Sequence, residues 1–163
     1  MALTISSTVR HACAADRLAV VGQELLDEDE EAVCTVYGTR TFVDWRDGSL
    51  PYYEGNDRSD FSPDEEVDSF LREFMLGGTA GIVTRLTPTR RKIWEVRLEQ
   101  TRIFGWFESP GHLILHVGDA IENVKDGGVA AYDAAMDDVE NERSRLAITS
   151  VGGDILHVRS YAS

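Results

Sequence analysis

Apolar and polar positions follow a period of two most clearly in the second half of the chain. In "KIWEVRLE", Trp94, Val96 and Leu98 point one way while Glu95, Arg97 and Glu99 point the other, the pattern of a strand with two unlike faces. "RIFGWFE" is apolar at most positions, which predicts a strand covered on both faces. "SPG" turns the chain into "HLILHVG", where Leu113, Leu115 and Val117 share a face opposite His112, Ile114 and His116. Strands this close in sequence predict an antiparallel meander, because a parallel crossover needs about a dozen residues.

A period of three to four predicts helices elsewhere. Over 8–31, Ala14, Leu18, Val21 and Leu25 make one apolar stripe, running into the acidic "DEDEE" at 27–31. "SPDEEVDSFLREFMLGG" carries the strongest helix signal. Ser62 caps, Pro63 suits the first turn, and Asp64 and Glu65 suit the positive end of the dipole. Val67, Phe70, Leu71 and Phe74 then share a face, and Gly77-Gly78 stops the helix. A second helix is predicted over 127–146, with Tyr132, Met136 and Val139 as its apolar line. "TRTFVDWRDG" reads as a strand closing on a turn at Asp47-Gly48, and "DILHVRSY" as a last strand; 79–87 fits either a short helix or a strand. The expected architecture is therefore α+β, an antiparallel twisted sheet with helices packed on one face. Residues 1–38 are expected to form an acidic helical extension and 39–163 the α+β domain.

Charge changes this picture. The 163-residue chain has a formal net charge of −13, which argues against indiscriminate binding to nucleic acid or anionic membrane. Residues 1–66 hold 15 acids and 5 bases, whereas 85–102 alone hold Arg85, Arg90, Arg91, Lys92, Arg97 and Arg102 against Glu95 and Glu99. This basic island is the candidate functional surface. No apolar run is long enough to span a bilayer, no secretory leader is legible at the N-terminus, and the two cysteines cannot form a disulfide framework. A cytoplasmic protein with reduced thiols is expected.

Three places resemble the HigB/RelE-like toxin superfamily, especially its phage-derived HigB branch, over about residues 40–146. "FVDWRDGSLP" with "VDSFLREF" is similar to that branch's opening strand, turn and first helix. "KIWEVRL" with "RIFGWF" is similar to its Trp-Glu-Leu-Arg strand and the Arg-bearing strand after it. "LILHVGDAIENVKDG" leading into "AAYDAAMDDVENER" is similar to its apolar-His strand, loop and closing helix. The resemblance implies an mRNA endoribonuclease of a toxin–antitoxin pair, acting without metal or other cofactor on mRNA in the ribosome and silenced by a cognate antitoxin. The positions matching the family's catalytic side chains are Arg97, Arg102 and His116. Arg85, Arg90, Arg91, Lys92 and Lys125 would steer the RNA, with Arg159 and Tyr161 reaching the same concave face. The chemistry would place a base near a 2′-hydroxyl and cations where charge builds up on the phosphate.

A second reading stands beside it. Where the family commonly has two lysines after the His strand, this chain has Gly118-Asp119-Ala120. That departure, with the acidic first third, fits a non-catalytic protein-binding module, encoded by a phage or mobile element and acting on a host protein. Ion pairing with Glu95 or Glu99 is the structural use of Arg97, a strand-edge salt bridge that of Arg102, and a hydrogen-bonded core position that of His116. His112 and His116 stand about 13 Å apart along a strand, too far to share a metal ion. The 8–31 helix would either lie across the basic island or form a homodimer.

Overall fold

The computed structural model describes residues 5–77, 85–148 and 150. Six strands, β1 (Leu18–Val20), β2 (Thr35–Thr39), β3 (Leu86–Pro88), β4 (Trp94–Arg97), β5 (Thr101–Ser109) and β6 (His112–Ala120), form one sheet in the order β1-β2-β6-β5-β4-β3. The α+β class and the β4-β5-β6 meander expected from the sequence are present. The sheet is mixed, because β2 runs parallel to β6, pairing Val36 with Leu113 and Tyr37 with Ile114; all other pairings are antiparallel.

Helices cover both faces of the sheet, not one. Against one face lie α2 (Arg40–Asp44) and α3 (Pro63–Met75), whose Phe42, Phe70, Leu71 and Phe74 share a core with Val36, Trp94, Val96, Phe107, Leu113 and Leu115. Against the other lie α1 (Ser7–Ala14) and α4 (Ile121–Leu146), whose Val9, Met136, Val139 and Leu146 meet Tyr37, Ile93, Phe104, Trp106 and Ile114. The central strands therefore bury both sets of alternating side chains. The strand "TVYGT" shows why: Val36 enters one core and Tyr37 the other.

The N-terminal third departs most from expectation. The helix predicted over 8–31 ends at Ala14, and Asp16 and Gly22 take left-handed backbone conformations at φ 59° and 85°. Leu18 joins the core under α4 while Val21 joins the core under α3. One helical stripe cannot serve opposite sides of a sheet, so tertiary pairing overrides the local periodicity. Residues 18–39 thus supply two strands of the sheet, and the boundary expected near residue 38 falls inside β2. The acidic run does not screen the basic island: Asp27 and Glu30 pair with Arg72 of α3.

The strand read in "TRTFVDWRDG" is helical. Thr39 caps α2, its hydroxyl accepting the Phe42 N–H at 3.3 Å, and the chain continues through one wide π turn over Trp45–Ser49. α3 follows its sequence signals closely, with Ser62 and Glu65 forming a reciprocal capping box and Gly77 left-handed just past its end. α4 begins at Ile121, earlier than predicted, and breaks at Gly128, whose φ of 57° and ψ of −142° only glycine adopts freely. Of the ambiguous stretch 79–87, residues 86–87 are strand and 79–84 lie outside the described residues. The last strand predicted near 154–161, with Arg159 and Tyr161, lies outside them as well.

Candidate functional site

Because Trp94 and Val96 of β4 point toward α3, Glu95 points toward α4, and it has no exposed surface. Three groups converge on its carboxylate. The Tyr132 hydroxyl donates to Oε1 at 2.7 Å, Arg97 Nε donates to Oε2 at 3.0 Å, and Arg102 Nε lies 3.4 Å from Oε1. Arg97 and Arg102 are directly opposite each other across β4 and β5, so a carboxylate between them relieves a like-charge cross-strand pair. Arg102 also donates to the Leu98 and Thr101 carbonyls. Burial, followed by the neighbouring Glu95, raises the pKa of Tyr132 and keeps it a donor. Sequence parity placed Glu95, Arg97 and Glu99 on one face, but nothing local marked Glu95 as the buried hub.

The other cations of the island go elsewhere. Arg90 pairs with Asp133 of α4, and Arg91 pairs with Asp137 at 2.5 Å and Glu140 at 2.8 Å. Arg85 lies 3.8 Å from Glu73 of α3. Lys92 is exposed at the β3–β4 turn, where Arg91 and Lys92 are consecutive left-handed residues (φ 62° and 58°); Lys125 is exposed on α4. The structure therefore brings Arg97 and Arg102 together and draws Arg85, Arg90 and Arg91 to carboxylates on two different helices.

His116 occupies a β-bulge. Phe104 pairs with Val117 and Gly105 with Leu115, so His116 is the extra residue of β6. The bulge breaks the alternation expected along this strand: Val117 packs with the α4-side core instead of joining Leu113 and Leu115. Gly105 is required opposite it, since a Cβ there would collide with the Ile114 carbonyl. The buried ring has both nitrogens engaged, Nδ1 at 2.7 Å from the Thr39 hydroxyl and Nε2 at 3.0 Å from Asp138. Carboxylate Asp138 only accepts, so Nε2 is the nitrogen that donates to it. Tyr132 and Asp138 are separated by about 9 Å along the α4 axis, so His116 and the Glu95 cluster contact different turns. The ring is buried, 2% exposed, with the Thr39 hydroxyl and the Asp138 carboxylate as its two partners.

His112, two residues from the Ile114 pairing with Tyr37, stacks on that ring at 6.0 Å, with Nδ1 3.4 Å from its hydroxyl. Burial lowers the pKa of His112, with Glu108 partly offsetting it. Among the described residues no three His, Cys, Asp or Glu side chains assemble as a metal site, and no helix is long and apolar enough to cross a membrane. Set against family models, curated proteins and solved structures, the chain matches none, so its likeness to the HigB/RelE-like toxins rests on the quoted strings alone.

Proposed function

We propose that this chain is a cytoplasmic, non-catalytic binding module whose partner is a protein with a cationic surface. One observation carries the reading: Arg85, Arg90, Arg91, Arg97 and Arg102 are each engaged by a carboxylate of the same molecule. Cations already paired with carboxylates of the same molecule offer less to a phosphate backbone, whose binding depends on Lys and Arg displacing counterions. The net charge of −13 is left to act outward, with Glu28, Asp29 and Glu31 among its exposed carriers. A field of that sign speeds encounter with a basic protein and repels nucleic acid.

The endoribonuclease reading keeps one support. Arg97, Arg102 and Tyr132 meet on one sheet face, a set of donors suited to a phosphate if Glu95 were displaced. Affinity capture from lysate, together with an mRNA-cleavage assay on translating ribosomes, separates the two. A stoichiometric basic protein, released by salt and free of RNA, with mRNA left intact, supports the binding module. Captured ribosomes or cleaved mRNA that Arg102→Ala abolishes overturns it.

A further inference from the structure

Among the described residues, only Arg91 and Lys92 are consecutive non-glycine residues with left-handed backbone, at φ 62° and 58°. At such a φ the Cβ crowds the following carbonyl oxygen, a strain that glycine escapes. Two backbone bonds close the turn, Ile93 N–H to the Arg90 carbonyl at 3.2 Å and Thr89 N–H to the Ile93 carbonyl at 2.8 Å. Lys92 is exposed and makes no side-chain bond among the described residues, so its own side chain does nothing to hold this shape.

The remaining hold comes from α4. Asp133, Asp137 and Glu140, spaced four and three residues apart, lie along one face of that helix and pair with Arg90 and Arg91. Arg143, one turn further on, donates to the Arg91 carbonyl at 3.0 Å. These pairs differ in kind from those of Arg97 and Arg102. Glu95 is buried, whereas Asp137 is 60% exposed and Glu140 45%. Salt screens an exposed pair and leaves a buried one nearly intact. Steric strain in the backbone has no such dependence on ionic strength.

We propose that the β3–β4 turn is an electrostatic latch, held closed on α4 by Arg90 and Arg91 and opening locally, with the sheet intact, when those pairs are screened. On opening, Arg91 and Lys92 leave the left-handed region, and Arg90, Arg91 and Lys92 stand free of the helix. Ile93, wholly buried, anchors the end of the turn and confines the motion to the residues before it. Masking of the basic island is thus permanent at Glu95 and conditional at this turn. The device goes beyond the binding-module reading and does not depend on it.

Amide hydrogen exchange of the full chain, followed by NMR from about 0.01 M to about 1 M sodium chloride, tests this, since the screening length falls from about 30 Å to about 3 Å over that range. The Ile93 N–H is expected to exchange roughly fivefold faster at high salt, as exposed pairs of modest strength are lost. The Leu98 N–H, bonded to the Thr101 carbonyl at the other end of β4, is expected not to accelerate. Salt relieves self-repulsion in a chain of net charge −13, so faster exchange at Ile93 runs against the general trend. Asp137→Asn with Glu140→Gln is expected to give the fast rate already at low salt and to remove most of the salt dependence. Lys92→Gly, which relieves strain and touches no ion pair, is expected to slow Ile93 about threefold. Exchange at Ile93 that slows or holds constant with salt, that follows Leu98 throughout, or that is unchanged in both variants overturns the proposal.

Discussion

Arg102 sets its Nε 3.4 Å from Oε1 of Glu95, a carboxylate with no exposed surface on the sheet face that α4 covers. A carboxylate taken out of water at this depth is stable only while its charge is matched and its oxygens are bonded. Removing one partner of such a group leaves the others stranded. Glu95→Ala is therefore expected to lower unfolding free energy by about 3–5 kcal/mol in urea titrations. Replacing the pair, Glu95→Leu with Arg102→Met, should recover most of that loss because less unmatched charge stays buried. Equal losses in the single and double variants would show that packing, not charge matching, holds this face.

The bulge at His116 makes its own demands. A Cβ on Gly105 meets the Ile114 carbonyl, and one on Gly118 falls 2.5 Å from the Trp45 ring. Gly105→Ala is expected to cost about 3 kcal/mol or more, since backbone cannot yield, and Gly118→Ala about 1–3 kcal/mol, since an indole can. Chemical denaturation ranks them, and Trp45 emission should change only in the Gly118 variant.

Thr39 serves two elements at once. Its hydroxyl accepts the Phe42 N–H at 3.3 Å and reaches His116 Nδ1 at 2.7 Å. Thr39→Ala removes a helix cap and leaves a buried ring nitrogen unmatched, an expected loss of about 2 kcal/mol. Asp138, on the far side of the same ring, is more than half exposed, so Asp138→Ala is expected to cost less than about 1 kcal/mol. A larger effect at Asp138 than at Thr39 would refute this ordering.

Titration of His112 is expected to make the fold acid-sensitive. Burial holds its pKa below the usual 6.5, so the unfolded chain binds this proton first as pH falls. The contribution is complete above pH 6.5 and is lost as pH drops through the lower folded value. The stability gap between the wild type and His112→Gln should narrow across that window; a gap independent of pH would exclude His112 as the source. At the alkaline end, burial pushes Tyr37 up to about 12 from 10, with Cys13 and Glu108 adding to the shift. Stability should therefore fall as pH rises from 10 toward 12 in the wild type and less so in Tyr37→Phe.

The sequence by itself determined the parts that depend on near neighbours. The period-two strings of β4 and the first half of β6 encode which side chains share a face, because a pleated backbone alternates regardless of what it packs against, and the continuous apolar run of β5 encodes burial on both faces. The capping box of α3 is likewise complete within four residues, Ser62 to Glu65. Only the tertiary structure decided which partner waits on each face. Arg91 finds Asp137 and Glu140 at separations of 46 and 49 residues, and Glu95 finds Tyr132 at 37. The same holds for Leu18 and Val21, whose helical spacing yields to pairing with a strand that itself joins β6 from the other half of the chain. Periodicity records the direction of a side chain, whereas the charge and the surface it meets there are set by segments distant in sequence, and on those the use of the basic island depends.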